Sequence, residues 1–235
     1  MKLLFADIIS AVRIGVIRLK NNYDAVLFDF DGTVADTGKG IFNAVRYAVA
    51  SLGFEPLTDA SLRTFIGPPI YDSFKRECGM NDEQSEEAVR KYREIYSEKC
   101  IYEFELYEGI DALIRDIKAS GIKLAIASSK PEKFIRRLIA QLGYDEIIDF
   151  ISAPTFDEDH MSKRELINNA VNALGVKKSR TVMVGDRLFD INGANEAGVD
   201  SIGAIFGYGS EEELKKAGAT YLVSHADEMR NIIFS

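Results

Sequence analysis

The run Ala25-Val26-Leu27-Phe28, which ends abruptly in Asp29-Phe30-Asp31-Gly32-Thr33, constrains this chain more than any other stretch. Four consecutive apolar residues read as a strand buried on both faces, as in a parallel sheet. Side chains alternate along a strand, so Asp29 and Asp31 can project one way and Phe30 the other. Gly32 permits a sharp turn at that point. In open α/β sheets ligands bind beyond the carboxyl ends of the strands. Two acids at that edge repel each other unless a cation or a shared proton intervenes. The pair therefore points to a metal site with a nucleophile or an acid/base role.

Downstream, helical and strand patterns alternate. Apolar residues from Ile41 to Leu52 recur at three- and four-residue steps and stop at Gly53. Residues 58–100 hold no convincing strand, only apolar clusters broken by Gly67-Pro68-Pro69 and a charged helix from Asp82 to Lys99. From Gly109 onward, strands are expected at Ile122–Ala127, Ile147–Ala153, Thr181–Val184, Ser201–Phe206 and Tyr221–Val223, with helices between them. Repeated strand–helix units imply an α/β fold, a parallel Rossmann-like sheet with helices on both faces. The expected organisation is an N-terminal extension over 1–22, an α/β core over 23–36 and 107–235, and an inserted helical unit over 37–106.

Residues 1–22 place Phe5, Ile8, Ile9, Val12 and Val16 on one helical stripe, with Asp7, Ser10, Arg13 and Arg18 opposite. An amphipathic helix there would dock on the body or on a second subunit, which gives one route to a homo-oligomer, with a membrane-surface anchor as the alternative. No apolar run approaches the ~20 residues of a transmembrane helix, so no integral membrane segment is expected. A net charge of −8 argues against nucleic-acid partners. Cys78 and Cys100 form no metal spacing and no disulfide framework, which suggests a reducing, cytoplasmic setting.

The other strand ends complete a chemical kit. One expected strand ends in Ser128-Ser129-Lys130-Pro131, and another in Gly185-Asp186-Arg187-Leu188-Phe189-Asp190. Lys163 opens a helix behind the Ser162-x-x-Glu165 capping pattern, where a helix start already favours anions. Ser129 and Glu132 form a second candidate capping pair. His160 reads as a solvated loop residue and His225 as structural. Phosphoryl transfer needs a nucleophile, a magnesium ion and donors aimed at phosphate oxygens.

Asp29 through Thr37 resembles the first motif of the haloacid dehalogenase-like hydrolase superfamily. Ser128, Lys163 and Val184 through Asp190 match its second, third and fourth motifs in order. The resemblance spans about residues 23–235, and the insertion resembles the helical cap of phosphoglycolate phosphatase-like members. It implies that Asp29 attacks phosphorus and that Asp31 serves as acid and then base. It also implies that Asp29, Asp31 through its backbone carbonyl, and Asp186 hold Mg²⁺, with Asp190 as a ligand or just behind one. Ser128 and Lys163 would grip the phosphoryl group, with Lys130 as an alternative cation. Gly32 and Thr33 would add backbone N–H groups, and Ser129 stands in the substrate-binding set.

Asp31 is present, whereas haloalkanoate dehalogenases of the superfamily lose that second acid. The segment Gly38 to Asn43 carries no histidine, unlike the β-phosphoglucomutase branch. Ser128-Ser129 stands where many members have Thr-Asn. The resemblance thus implies a Mg²⁺-dependent phosphomonoesterase acting on a small phosphorylated metabolite, with phosphoglycolate or a nucleoside monophosphate favoured. A phosphosugar mutase and a non-catalytic phosphate-binding module are the alternatives. The Gly67-Pro68-Pro69 turn is expected nearest the substrate, with Ile66 and Ile70 setting specificity.

Overall fold

The computed structural model describes residues 23–156 and 161–235. The expected N-terminal helix, its use as an oligomer contact, and His160 fall outside the described residues. Six parallel strands form the central sheet: β1 (Ala25–Phe28), β4 (Lys123–Ala127), β5 (Phe150–Ser152), β6 (Thr181–Gly185), β7 (Asp200–Ala204) and β8 (Tyr221–Val223). Their order is β5-β4-β1-β6-β7-β8, so β1 sits centrally between β4 and β6. This is the doubly wound α/β arrangement expected from the strand–helix alternation.

The alternation of strand side chains divides the core in two. Leu27, aligned with Ala125 and Met183, packs with residues of α7 (Lys163–Leu174) and α8 (Leu188–Ala197). Val26 and Phe28, aligned with Leu124, Ile126, Val182 and Val184, face the opposite core. That second core holds residues of α5 (Ile110–Ala119), α6 (Glu132–Leu142) and α10 (Ala226–Phe234). The short α9 (Glu211–Lys216) precedes β8. Every β1 residue is buried, as its unbroken apolar run requires.

Two short strands, β2 (Ala35–Asp36) and β3 (Glu105–Leu106), pair antiparallel and bracket the helical insertion. Two-residue strands leave no periodicity to detect, and neither was expected. Between them run α1 (Gly38–Ser51), α2 (Asp59–Arg63), α3 (Ile70–Cys78) and α4 (Asp82–Glu98). The α1 stripe of Ile41, Ala44, Val45, Ala48 and Val49 is buried, and α1 packs chiefly on α4. Gly40 is required at this crossing, because a Cβ there would lie 2.2 Å from the Cys100 carbonyl oxygen. The insertion meets the core at Tyr96, whose ring stands edge-on to Phe134 of α6 at 5.0 Å.

The Ser162–Glu165 capping box forms as the sequence predicts. The Ser129–Glu132 pair does not. Pro131 takes the cap position of α6 with no side-chain cap bond. Among the described residues, no helix is long and apolar enough to cross a membrane.

Candidate active site

The carboxyl edge of the sheet gathers the acids. Asp29 continues β1, its N–H donating to the Val184 carbonyl at 2.9 Å. The chain then folds back over Phe30, whose carbonyl accepts from Val34 and Ala35 at 3.0 and 3.1 Å. Gly32 sits in this turn at φ +86° and allows Asp186 to approach, since a Cβ there would fall 2.2 Å from Asp186 Oδ2. Asp186 follows β6, and Asp190 lies in the first turn of α8, where its Oδ2 accepts from the Arg187 N–H at 3.0 Å.

Asp29, Asp186 and Asp190 each offer an oxygen within 4.8 Å of the others, and all three are buried. Lys163 reaches this trio from the start of α7. Its Nζ donates to Asp29 Oδ1 and to the Ala127 carbonyl, both at 3.0 Å, and lies 2.8 Å from Asp190 Oδ1. Gly193 of α8 makes room for this reach, because a Cβ there would stand 2.7 Å from Lys163 Cβ. Burial alone would lower the Lys163 pKa, but the Asp190 and Asp29 carboxylates prevail and raise it, so the ammonium stays charged.

One buried ammonium faces three buried carboxylates, leaving negative charge uncompensated. At Asp186, burial and then the Asp190 and Asp29 charges push the carboxyl well above its ordinary range. Burial also raises Asp190, against the pull of Lys163. Asp190 Oδ1 has Lys163 as a charge partner but no aligned hydrogen-bond donor. Three buried oxygen ligands with excess negative charge fit a hard divalent cation.

Asp186 is tightly wrapped, by contacts that motif spacing does not encode. Tyr208 N–H donates to its Oδ2 at 2.8 Å, and Thr33 Oγ1 to its Oδ1 at 3.2 Å. A Cβ at Gly207 would lie 2.4 Å from Asp186 Cβ, and one at Gly209 2.1 Å from the Asp186 carbonyl oxygen. The Gly207-Tyr208-Gly209 triplet after β7 was the available signal. Gly32 and Thr33 donate their backbone N–H groups within the turn, to Ala35 and Phe30 carbonyls at 2.9 and 3.3 Å.

The Asp31 carboxylate lies outside the trio, leaving its backbone carbonyl as the group the resemblance assigns to a metal. Its Oδ1 accepts from Thr37 Oγ1 at 2.7 Å, and Lys130 Nζ lies 3.0 and 2.9 Å from its two oxygens. Lys130 and Lys163 therefore serve different acids in the same site. Ser128 is buried at the end of β4, its Oγ accepting from the Lys130 N–H at 3.3 Å.

Asp29, Asp31, Ser128, Ser129, Lys130 and Lys163 line one cleft of about 1120 Å³ between the sheet edge and the insertion. Gly67, Pro68, Pro69 and Ile70 line its other side. Ile66 does not. Its side chain is fully buried in the core, while its carbonyl accepts from Arg187 Nη1 at 2.7 Å.

A sequence model described as haloacid dehalogenase-like hydrolase matches residues 26–204. A 5'-nucleotidase of Pseudomonas aeruginosa is 33% identical over 213 residues, covering 91% of this chain and 96% of that protein. Tyrosine-protein kinase PtkA of Mycobacterium tuberculosis is 34% identical over 212 residues, 88% of this chain and 72% of its own length. The crystal structure of a predicted phosphatase from Clostridium acetobutylicum is similar at a TM-score of 0.84 and 34% identity, covering 89% of this chain and 97% of that one. On these matches the chain belongs to the haloacid dehalogenase-like hydrolase family, as a phosphatase.

Proposed function

We propose that this phosphatase is Mg²⁺-dependent and hydrolyses small phosphomonoesters through an aspartyl-phosphate on Asp29. The observation that carries the reading is Lys163, buried and shared between Asp29 and Asp190 at the head of a cleft open to substrate. In the first step an Asp29 carboxylate oxygen bonds to phosphorus as the ester P–O bond breaks. Asp31 gives its proton to the departing alkoxide. In the second step Asp31 takes a proton from water as that water attacks phosphorus. The acyl phosphate bond then breaks, releasing phosphate and restoring the Asp29 carboxylate. Lys163 and the Ser128 hydroxyl balance the charge on the transferring phosphoryl oxygens.

Asp29, Asp186 and Asp190, with the Asp31 backbone carbonyl, are the groups that would hold Mg²⁺. The cation supplies charge neutralisation to the phosphoryl oxygens. Residues 37–106 act as a cap over a core of 23–36 and 107–235. Both cysteines are free, which suits a reducing cytoplasm.

Nucleoside monophosphates are the favoured substrates over phosphoglycolate. The cleft of about 1120 Å³ is far larger than a two-carbon acid needs, and a 33%-identical relative carries the name 5'-nucleotidase. Hydrolysis is favoured over mutase chemistry because no histidine follows the first motif between Gly38 and Asn43. The test is a panel of phosphate esters assayed for phosphate release with Mg²⁺ and with excess chelator, glucose 1-phosphate being followed by ³¹P NMR. Nucleoside monophosphates should lead the ranking, with free phosphate as the main product and no turnover under chelation. Net conversion of glucose 1-phosphate to the 6-phosphate faster than phosphate release would contradict the hydrolase reading.

A further inference from the structure

Lys130 is buried, with a side chain only 5% exposed, at the loop that follows β4. A buried ammonium is costly unless it is paired. Among the described residues its one ion-pair partner is Asp31, whose two oxygens it meets at 3.0 and 2.9 Å. Its Nζ also stands 4.7 Å from the ring centroid of Tyr96, within cation–π range. Tyr96 belongs to α4 of the insertion, where it stacks on Tyr92 at 5.2 Å.

Asp31 is thus gripped from two sides, and both grips involve the insertion. Thr37, the residue that precedes α1, donates to Oδ1 at 2.7 Å. Lys130 spans both oxygens while seated on an α4 ring. Two independent donors on one carboxylate leave it little rotational freedom. Catalytic groups must be held within a fraction of an ångström of their working geometry, and such misplacement from a second residue is costly.

We infer that Lys130 is the positioning residue for Asp31, setting the carboxylate where the leaving oxygen departs and linking that placement to the cap through Tyr96. The inference rests on the reading of Asp31 as the acid and base. It requires that Lys130 act through Asp31 and not as a ligand of the substrate.

Leaving-group dependence separates these possibilities. A general acid matters for an alkyl phosphate, whose alkoxide needs a proton, and little for 2,4-dinitrophenyl phosphate. The test compares kcat on a nucleoside monophosphate and on 2,4-dinitrophenyl phosphate for wild type, Asp31→Asn, Lys130→Met and Lys130→Arg, with melting temperatures recorded for all four. Asp31→Asn should lose about 10²-fold or more on the alkyl ester and far less on the aryl ester. If it shows no such split, the reading of Asp31 itself fails.

Given that split, Lys130→Met should reproduce it, with a loss of roughly tenfold or more confined to the alkyl ester. Lys130→Arg, which keeps a cation able to stack on Tyr96, should restore most of it. An equal loss on both esters, or a raised KM with kcat unchanged, would overturn the inference in favour of a structural or substrate-binding lysine. Should Lys130→Met fail to fold, Tyr96→Leu carries the test, because it removes the ring on which Lys130 sits; a loss confined to the alkyl ester is expected, and the absence of any split in a folded Tyr96→Leu protein would overturn the inference.

Discussion

Tyr208 ties Asp186 to the entrance of the helical insertion. Its backbone N–H donates to Asp186 Oδ2 at 2.8 Å, while its hydroxyl donates to Asp36 Oδ1 and accepts from the Gly38 N–H at 2.8 Å. One residue thereby spans a buried acid of the sheet edge and the linker into the cap. It can do so because glycines flank it. A Cβ at Gly207 would fall 2.3 Å from the Gly32 carbonyl oxygen and 2.4 Å from Asp186 Cβ.

Gly207→Ala should therefore displace Asp186 together with the Gly32 turn. The Mg²⁺ concentration needed for half-maximal activity should rise by about tenfold or more, in the range of a lost supporting contact at a metal site. A titration of activity against Mg²⁺ checks this, and an unchanged requirement would remove Asp186 from the metal set.

Lys163 is the shared ion-pair partner of two buried carboxylates, Asp29 and Asp190. Lys163→Met leaves both unpaired, and the metal-free protein should lose about 3–5 kcal/mol of stability. Urea unfolding under chelation measures this. Added Mg²⁺ should recover part of the loss if the same acids bind it.

Asp186 carries a raised pKa from burial and then from its acidic neighbours Asp190 and Asp29. A folded pKa above the unfolded one means that the contribution is fully present below the ordinary carboxylate range. It is lost as pH rises through the elevated folded value. Burying Asp186 thus costs the metal-free fold stability as pH rises above the ordinary carboxylate range, and protons compete with the cation at lower pH. The gain in melting temperature on adding Mg²⁺ should be larger at about pH 8 than at about pH 5. Thermal scans at both pH values, with Mg²⁺ and with chelator, decide it.

Ile66 and Ile70 flank the same turn but should behave differently. Ile70 lines the cleft, whereas the Ile66 side chain is fully buried. Ile70→Ala should reorder the ester ranking with little change in stability. Ile66→Ala should cost about 2–5 kcal/mol, as a cavity in a packed core does. Chemical denaturation of both variants, alongside the ester panel, separates the two roles.

The sheet and the helices around it were legible because their signals are local. Residues Ala25 to Phe28 form an apolar run that reads as a strand buried on both faces, and the stripe of α1 marks its inner side. The specificity role expected of Ile66 was not separable from that of Ile70, because apolar spacing does not say which of two neighbours enters a core. Lys130 was visible as a cation, but its partner lies 99 positions away and is set by the juxtaposition of β1 and β4. Tyr208 escaped notice for the same reason. Its contacts to Asp186 and Asp36 are fixed by tertiary approach, and only the glycines on either side hinted at it.

The mechanism turns on Asp29 as the nucleophile, and the decisive variant is Asp29→Asn. The substitution keeps size and removes both the attacking charge and part of the repulsion among Asp29, Asp186 and Asp190. Steady-state hydrolysis of p-nitrophenyl phosphate with saturating Mg²⁺ should fall by at least ~10³-fold, as when a group essential to the chemical step is removed. The melting temperature should hold or rise. Turnover within a few-fold of wild type in a folded Asp29→Asn protein would rule out Asp29 as the nucleophile.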